Sequence, residues 1–228
     1  MSEVVSAVDL KIGYSSSSVL ASIDNLQIDK GEIVSIIGES GIGKTTLLRN
    51  IAKLQKPLDG ELLIFGSSSY PGRGDVGYIP QKLGLVKHET VYFNVLKGAI
   101  CHESIVKSIF GLHDQKVVDK VEESISLMKL IDKMDSPVKQ LSGGQQRRVA
   151  IARTMAQGAK LILADEFLSE LDDKTGDTVW NVMHDYVKSN QITLIIVEHN
   201  IERAKLADRC FKLERSENSI SILVEVEK

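Results

Sequence analysis

The sequence contains few cysteines and histidines, and none of its hydrophobic runs is long. Its two cysteines, Cys101 and Cys210, stand far apart, and its five histidines are scattered, so we predict neither a disulfide framework nor a clustered metal site. The longest apolar runs, such as Leu161–Ala164 and Leu194–Val197, are far shorter than the ~20 residues that a membrane-spanning helix needs. We therefore expect a chain that does not cross a membrane by itself.

An excess of basic residues is also missing. The 228 residues include 28 lysines and arginines against 31 aspartates and glutamates, which gives a formal net charge of −3. Proteins that bind nucleic acid usually carry the opposite excess, so we expect no nucleic-acid partner. The first residues alternate in polarity and include the acid Glu3, which is not the pattern of a signal peptide. With 43% hydrophobic and 26% charged residues, the composition is that of a globular protein with its own core.

Strand patterns and helix patterns alternate along the chain, and a helical stretch interrupts them in the middle. The patterns predict strands at Val4–Ile12, Val19–Ile28, Glu32–Ile37, Glu61–Phe65, Val76–Ile79, Lys160–Ala164, Thr193–Val197, Phe211–Lys212 and Ile220–Val226, and helices at Lys44–Lys53, Gln115–Met128, Lys174–Lys188 and Ile201–Ala207. Because alternating strands and helices build largely parallel sheets, we predict an α/β core with a helical insert.

A glycine-rich segment follows the apolar run Glu32–Ile37. It reads Gly38-Glu39-Ser40-Gly41-Ile42-Gly43-Lys44-Thr45 and fits the pattern G-x-x-x-x-G-K-[ST] between a strand and a helix. Glycines let backbone N–H groups converge on phosphate oxygens, and the start of the following helix adds partial positive charge. The segment therefore predicts a polyphosphate site, with Lys44 on the outer phosphates and the Thr45 hydroxyl on Mg²⁺.

Two adjacent carboxylates end the apolar run Leu161–Ala164. Ligands of open α/β sheets lie at the carboxyl ends of strands, and two carboxylates there are costly unless a cation or substrate uses them. We expect Asp165 to help hold Mg²⁺ and Glu166 to orient and polarise the attacking water. His199, just past the strand Thr193–Val197, brings a further polar group towards the same edge.

A second candidate anion site lies at Leu141-Ser142-Gly143-Gly144-Gln145. Ser142 with Gln145 three residues later is a capping box, which predicts the start of a helix. Paired glycines lower helix propensity and leave the first amides uncovered, so a role in anion binding explains them better than capping alone.

With these motifs in this order, the sequence resembles the ATPases of ABC transporters along nearly its whole length. Tyr14 matches the aromatic residue for adenine, Gly38–Thr45 matches Walker A, and Gln81 matches the Q-loop. Leu141–Gln145 matches the signature, and Leu161–Glu166 matches Walker B with its glutamate. Ser169–Asp172 matches the D-loop, and His199 matches the switch histidine. The resemblance implies a P-loop fold with a mostly parallel sheet, an antiparallel β subdomain and a helical insert. It implies one domain over 1–228, with an α/β core in 1–81 and 157–228 and the signature-bearing helical subdomain in 82–156.

The resemblance also implies roles for individual residues. It implies catalytic roles for Glu166, His199, Lys44 and Gln81, and Mg²⁺ contacts from Thr45, Gln81 and Asp165. It implies ATP contacts from Tyr14, Gly38, Glu39, Ser40, Gly41, Ile42, Gly43, Lys44, Thr45, Thr46, Ser142, Gly143, Gly144 and Gln145. The sequence departs from the usual family pattern at Phe167, where many members have proline, at Glu198, where threonine is commoner, and at Glu39 within the phosphate loop.

The same resemblance implies partners and a location. Each phosphate loop of the family faces the signature of a second subunit, so we expect a dimer in the ATP-bound state, most simply of two identical chains. A membrane permease and a solute-binding protein are the further partners, at the cytoplasmic face of the cell membrane. The segments Asn94–Gly98 and Ser108–Leu112 look similar to phosphonate-importer ATPases. Two alternatives stay open at this point, a cell-division type regulator without transport and an ATPase for lipoprotein release or export.

Overall fold

Residues 3–103, 111, 113–216 and 220–226 are described by the computed structural model. The strands are β1 Glu3–Ser15, β2 Ser18–Asp29, β3 Ile33–Gly38, β4 Asp59–Ile64, β5 Val76–Ile79, β6 Leu161–Asp165, β7 Thr193–Val197, β8 Arg209–Arg215 and β9 Ser221–Val226. The helices are α1 Lys44–Ile51, α2 Val91–Ala99, α3 Gln115–Leu127, α4 Gly143–Gln157, α5 Asp173–Ser189 and α6 Ile201–Ala204, with short 3₁₀ turns at Ile100–His102, Ile131–Lys133 and Val138–Gln140.

These elements fall into two compact units. The first unit comprises Met1–Gly72, Leu161–Glu166 and Asn190–Lys228, and the second comprises Arg73–Lys160 and Phe167–Ser189. The first therefore holds the phosphate loop and the acidic strand end, and the second holds the signature segment. The α/β class predicted from the sequence is confirmed.

The sheet of the first unit has the strand order β4-β1-β2-β9-β8-β3-β7-β6. Strands β8, β3, β7 and β6 run parallel to one another, and β2 pairs parallel with β9. The pairs β4–β1, β1–β2 and β8–β9 are antiparallel. Strand β7 lies between β3 and β6, and its residue Val197 pairs with Ile36 on one side and with Asp165 on the other. The carboxyl ends of these three strands therefore meet at one edge, which is where the candidate site lies.

The burial of the strands explains why their sequences differ. All residues of β6 and β7 are buried, because a parallel strand in an α/β sheet is covered on both faces. By contrast, β1 keeps several exposed positions among its buried ones. The predicted two-residue strand Phe211–Lys212 extends over Arg209–Arg215, because it pairs with both β3 and β9.

The second unit is built mainly from helices. Helices α2, α3 and α4 pack against one another, and Thr90 caps α2 by accepting a hydrogen bond from the N–H of Phe93 at 3.1 Å. The predicted amphipathic helix over Gln115–Met128 is confirmed as α3 and buries Val121 and Ile125. Of the segment Ser108–Leu112, which had suggested a phosphonate importer, only Gly111 belongs to the described residues.

The described residues contain no helix that is both long enough and apolar enough to span a membrane.

Candidate nucleotide-binding site

The phosphate loop connects β3 to α1 through backbone conformations that suit glycine. Gly38 has a φ of 151° and Gly43 a φ of 120°, both on the positive side that other residues rarely adopt. A methyl group at Gly38 would lie 2.6 Å from the carbonyl oxygen of Leu213 on β8, so a larger residue would displace the loop or the strand. Helix α1 then begins without a side-chain cap and without an acid in its first turn. Its first N–H groups are therefore available to an anion.

Lys44 is folded over the loop that precedes it. Its side chain is buried, and its Nζ donates hydrogen bonds to the carbonyl oxygens of Gly38 and Glu39, both at 2.7 Å. Burial lowers the pKa of Lys44, and the charges of Glu166 and Asp165 act in the opposite direction. The ammonium group is thus held at the loop, where phosphate oxygens could replace the two carbonyls as its acceptors.

Asp165 closes β6 as a buried carboxylate that the protein satisfies only in part. It is 1% exposed, it forms a side-chain hydrogen bond with Thr45, and its Oδ1 atom has no hydrogen-bond partner among the described residues. Burial raises its pKa, while the hydrogen bond from Thr45 and the charges of Arg49 and Lys44 lower it. A buried oxygen without a partner beside a threonine hydroxyl fits the preference of Mg²⁺ for oxygen ligands.

The metal-ligating side chains of the described residues form no cluster of three or more. A magnesium ion held by Asp165 and Thr45 would therefore take its remaining ligands from phosphate oxygens and water, as Mg²⁺ commonly does in phosphate sites.

Glu166 and His199 meet across the ends of neighbouring strands. Glu166 has a φ of 53°, and its N–H donates to the carbonyl oxygen of Val197 at 3.1 Å. Its Oε1 atom lies 2.6 Å from Nε2 of His199, and 48% of the histidine side chain is exposed. Because an ionised carboxylate only accepts hydrogen bonds, the ring donates through Nε2. The pair presents a carboxylate, fixed by a histidine, to solvent at the edge of the sheet.

Glu198, which departs from the usual family pattern, is a buried acid at this edge. It is 6% exposed, and its Oε1 atom has no hydrogen-bond partner within the described part of the chain. Burial raises its pKa to about 7, and the charge of Glu166 adds to this effect, whereas the charge of Arg203 opposes it. The sequence feature that indicates its burial is its position between a continuous apolar strand and His199, where an acid is expected to lie inside the protein.

We expect Glu198→Gln to change how the stability of the protein depends on pH. From its ordinary pKa of 4.5 up to about 7, Glu198 keeps a proton in the folded state that the unfolded chain releases. The free energy of unfolding of the wild type therefore falls as the pH rises through this window, whereas glutamine cannot ionise. Urea denaturation should find the two proteins similar at pH 5 and the variant more stable by about 3 kcal/mol at pH 8.

The matched control is Glu202→Gln, which removes the same charge from an exposed position on α6. Its free energy of unfolding should match that of the wild type at both pH values. Equal responses of the two variants would contradict the burial of Glu198 as the cause.

Tyr14, a further predicted residue of the first unit, lies near the end of β1. Its ring is largely exposed, so it is accessible for stacking on an aromatic ligand.

The second unit holds the predicted signature, Q-loop and D-loop. Ser142 caps α4 by accepting from the N–H of Gln145 at 3.3 Å, and the side chain of Gln145 accepts from the N–H of Ser142 at 2.9 Å. The predicted capping box is therefore confirmed. Gln81 follows β5 and is exposed. Arg147 on α4, which no sequence pattern singles out, is fully buried and donates to Ser169 at 2.8 Å.

A glycine-rich phosphate loop, followed by carboxylates at the end of a nearby parallel strand, defines a P-loop protein of the α/β class. The family model described as ABC transporter matches residues 22–169, and the chain belongs to this family, as one of its ATP-binding, ATP-hydrolysing subunits. The resemblance inferred from the sequence is thereby confirmed.

Curated relatives carry more particular names. The chain is 40% identical over 189 residues to "Phosphonates import ATP-binding protein PhnC 1" of Halalkalibacterium halodurans, covering 79% of this chain and 74% of the relative. It is 38% identical over 213 residues to a phosphonates import ATP-binding protein PhnC of Bacillus anthracis, covering 88% of this chain and 82% of the relative.

Solved structures of ATP-binding cassettes have the same fold. The dimeric cassette MJ0796, in a post-hydrolysis state bound to ADP and Pi, superposes with a TM-score of 0.80 at 25% identity. The match covers 98% of this chain and 99% of the MJ0796 chain. The cbiO1 protein of Clostridium perfringens, part of an ABC transporter complex, gives a TM-score of 0.80 at 25% identity, covering 99% of this chain and 88% of its own.

Proposed function

We propose that this chain is the ATP-hydrolysing subunit of an importer that carries a phosphonate or a similar small solute through a separate membrane permease. The observation that carries the proposal is the placement of Lys44, Asp165, Glu166 and His199 around one edge of the sheet in the first unit. The names of the curated relatives support the solute class and favour import over the cell-division and lipoprotein-release alternatives.

The phosphate loop would bind the nucleotide by its phosphates. Lys44 would exchange the carbonyl oxygens of Gly38 and Glu39 for the β- and γ-phosphate oxygens. The N–H groups of the loop and of the start of α1, from Gly38 to Thr46, would add hydrogen bonds without introducing a charge of their own. The exposed ring of Tyr14 would stack on the adenine.

Thr45 and Asp165 would hold Mg²⁺, and the Mg²⁺ contact that the family resemblance implies for Gln81 stays a prediction. The ion neutralises charge on the transferring phosphoryl group when it is bound. On the protein side, Asp165 supplies a carboxylate oxygen that has no other partner in the described chain, and Thr45 keeps that carboxylate oriented.

Glu166 would orient and polarise the water that attacks the γ-phosphate. The hydrogen bond from His199 holds its carboxylate in one orientation, and the left-handed backbone at Glu166 is a strained conformation of the kind found at functional sites. His199 would also sense the γ-phosphate directly, since its ring is half exposed beside the same carboxylate.

We further propose that two copies close face to face around two ATP molecules, each phosphate loop facing Ser142–Gln145 of the other copy. A dimeric solved relative supports this arrangement. We also propose the division into an α/β core of 1–81 and 157–228 and a helical subdomain of 82–156. Gln81 would report the nucleotide state to the permease. The complex would lie at the cytoplasmic face of the cell membrane, served by a solute-binding protein.

Purification of the tagged chain from its native membrane tests the transport proposal. A membrane-spanning protein should co-purify, and a phosphonate such as methylphosphonate, with the solute-binding protein, should raise the ATP turnover of the complex several-fold. Sulfate at the same concentration is the control and should leave the turnover unchanged. A complex whose turnover responds to a cell-wall enzyme regulator and to no solute would contradict the proposal.

A further inference from the structure

The start of α4 and the segment Ser169–Asp172 lie against each other within the second unit. A methyl group built on Gly143 would lie 3.2 Å from Oε2 of Glu170, and one built on Gly144 would lie 3.1 Å from Cδ2 of Leu171. The carboxylate of Glu170 is thus placed beside the first turn of α4, which is also the first turn of the signature.

The N–H groups of this turn are only partly satisfied. Ser142 accepts from Gln145 through its side chain at 3.3 Å and from Gln146 through its carbonyl oxygen at 2.9 Å. For the N–H groups of Gly143 and Gly144, the described residues provide no hydrogen-bond acceptor. The start of α4 therefore keeps the partial positive charge that stabilises a nearby anion.

A buried cation lies on the other side of the same carboxylate. Arg147 is 1% exposed, its Nη2 donates to Oγ of Ser169 at 2.8 Å, and the same nitrogen lies 3.9 Å from Oε1 of Glu170. A buried guanidinium requires a compensating charge. Glu170 thus offsets the charge of Arg147 and faces the positive end of α4 at the same time.

The backbone of Glu170 indicates that this placement is specific. Its φ is 66°, a left-handed conformation that costs free energy for a residue other than glycine. Such a conformation persists where surrounding contacts fix it, and the ion pair with Arg147 at 3.9 Å is a contact of that kind.

We propose that Glu170 acts as an internal anion at the start of the signature helix and weakens its attraction for the terminal phosphate of a nucleotide held by a second copy of the chain. The inference rests on the face-to-face dimer proposed above. A carboxylate and a phosphate at the same helix start repel each other, so the γ-phosphate gains less from this contact while Glu170 is charged. Without the carboxylate, the positive charge of Arg147 would add to that of the helix start. Glu170 thereby sets the nucleotide affinity of the closed dimer without touching the reacting atoms.

The test compares ATP-driven dimerisation with and without this charge. In chains carrying Glu166→Gln and saturated with MgATP, adding Glu170→Gln should lower the protein concentration for half-maximal dimer about fivefold, because two symmetric contacts each gain a modest attraction. Glu170→Ala should give a similar shift. The difference should shrink as NaCl is raised from 0.05 to about 0.5 M, since a charge effect at an exposed site is screened and a packing effect is not.

Two further variants keep the result decisive. Glu122→Gln removes the same charge from an exposed position on α3 and should not shift the midpoint. Glu170→Asp keeps the charge but withdraws it by one methylene, so it should give a smaller shift than glutamine. Thermal unfolding of every variant checks that the fold is retained.

The outcomes separate the two proposals. If Glu166→Gln alone stays monomeric at every concentration, the proposed dimer fails and this inference fails with it. If that variant dimerises and Glu170→Gln leaves the midpoint unchanged, raises it, or shifts it equally at low and high salt, the role of Glu170 alone is overturned.

Discussion

Replacing Glu166 with glutamine is expected to lower ATP turnover by about 10²- to 10⁴-fold while ATP binding is retained. Glutamine has nearly the same size as glutamate and can still hydrogen-bond to His199, but it cannot polarise a water molecule as a carboxylate does. Phosphate release under saturating MgATP measures turnover, and equilibrium binding of a fluorescent ATP analogue measures affinity. Because hydrolysis no longer opens the closed state, the variant should also accumulate as a dimer with trapped nucleotide.

The contact between Glu166 and His199 predicts a second variant with a smaller loss of turnover. His199→Ala removes the hydrogen bond at 2.6 Å but leaves the carboxylate in place, so it should reduce turnover less than Glu166→Gln. Glu202→Gln, an exposed change on α6, serves as the control. Near wild-type hydrolysis by Glu166→Gln would exclude Glu166 as the group that activates water.

Replacing Lys44 with alanine is expected to weaken ATP binding about 100-fold, because charge-assisted hydrogen bonds to the phosphates are lost. The structure places this ammonium at the loop, where it donates to Gly38 and Glu39 at 2.7 Å. Alanine supplies neither the charge nor the donors, and Asp165 and Glu166 would then repel the phosphates without a counter-charge. Isothermal titration with ATP and Mg²⁺ measures the loss.

Two variants separate this effect from a general loss of charge or fold. Lys56→Ala removes a lysine from an exposed position beyond α1 and should bind ATP as the wild type does. Lys44→Arg keeps the positive charge but places a larger, planar group in a buried space, so it should also bind poorly. Unchanged ATP affinity of Lys44→Ala, with the fold intact by circular dichroism, would contradict the assignment of the loop.

Most elements of the fold could be predicted because their patterns are local. The strands at Val76–Ile79 and Thr193–Val197 have the predicted bounds, and α3 ends one residue before its predicted end. Among the strands, the poorest prediction was β8, of which only Phe211–Lys212 was recognised, because this strand is held by pairing with β3 on one side and β9 on the other. Strand pairing of this kind joins residues far apart in the chain, and no local pattern encodes it.

The candidate site likewise combines local features that the sequence predicts with contacts that only the folded chain creates. The phosphate loop and the capping box each depend on a few consecutive residues, whose backbone preferences fix the local conformation, so the sequence by itself determined them. Only the tertiary structure decided that β7 lies between β3 and β6, and this order brings His199 to Glu166. It also decided that Glu198 is buried and that Glu170 faces the start of α4. The physical reason is that charge and burial depend on neighbours in space. A carboxylate acquires its chemistry from the groups that the folded chain packs around it, and these come from distant parts of the sequence.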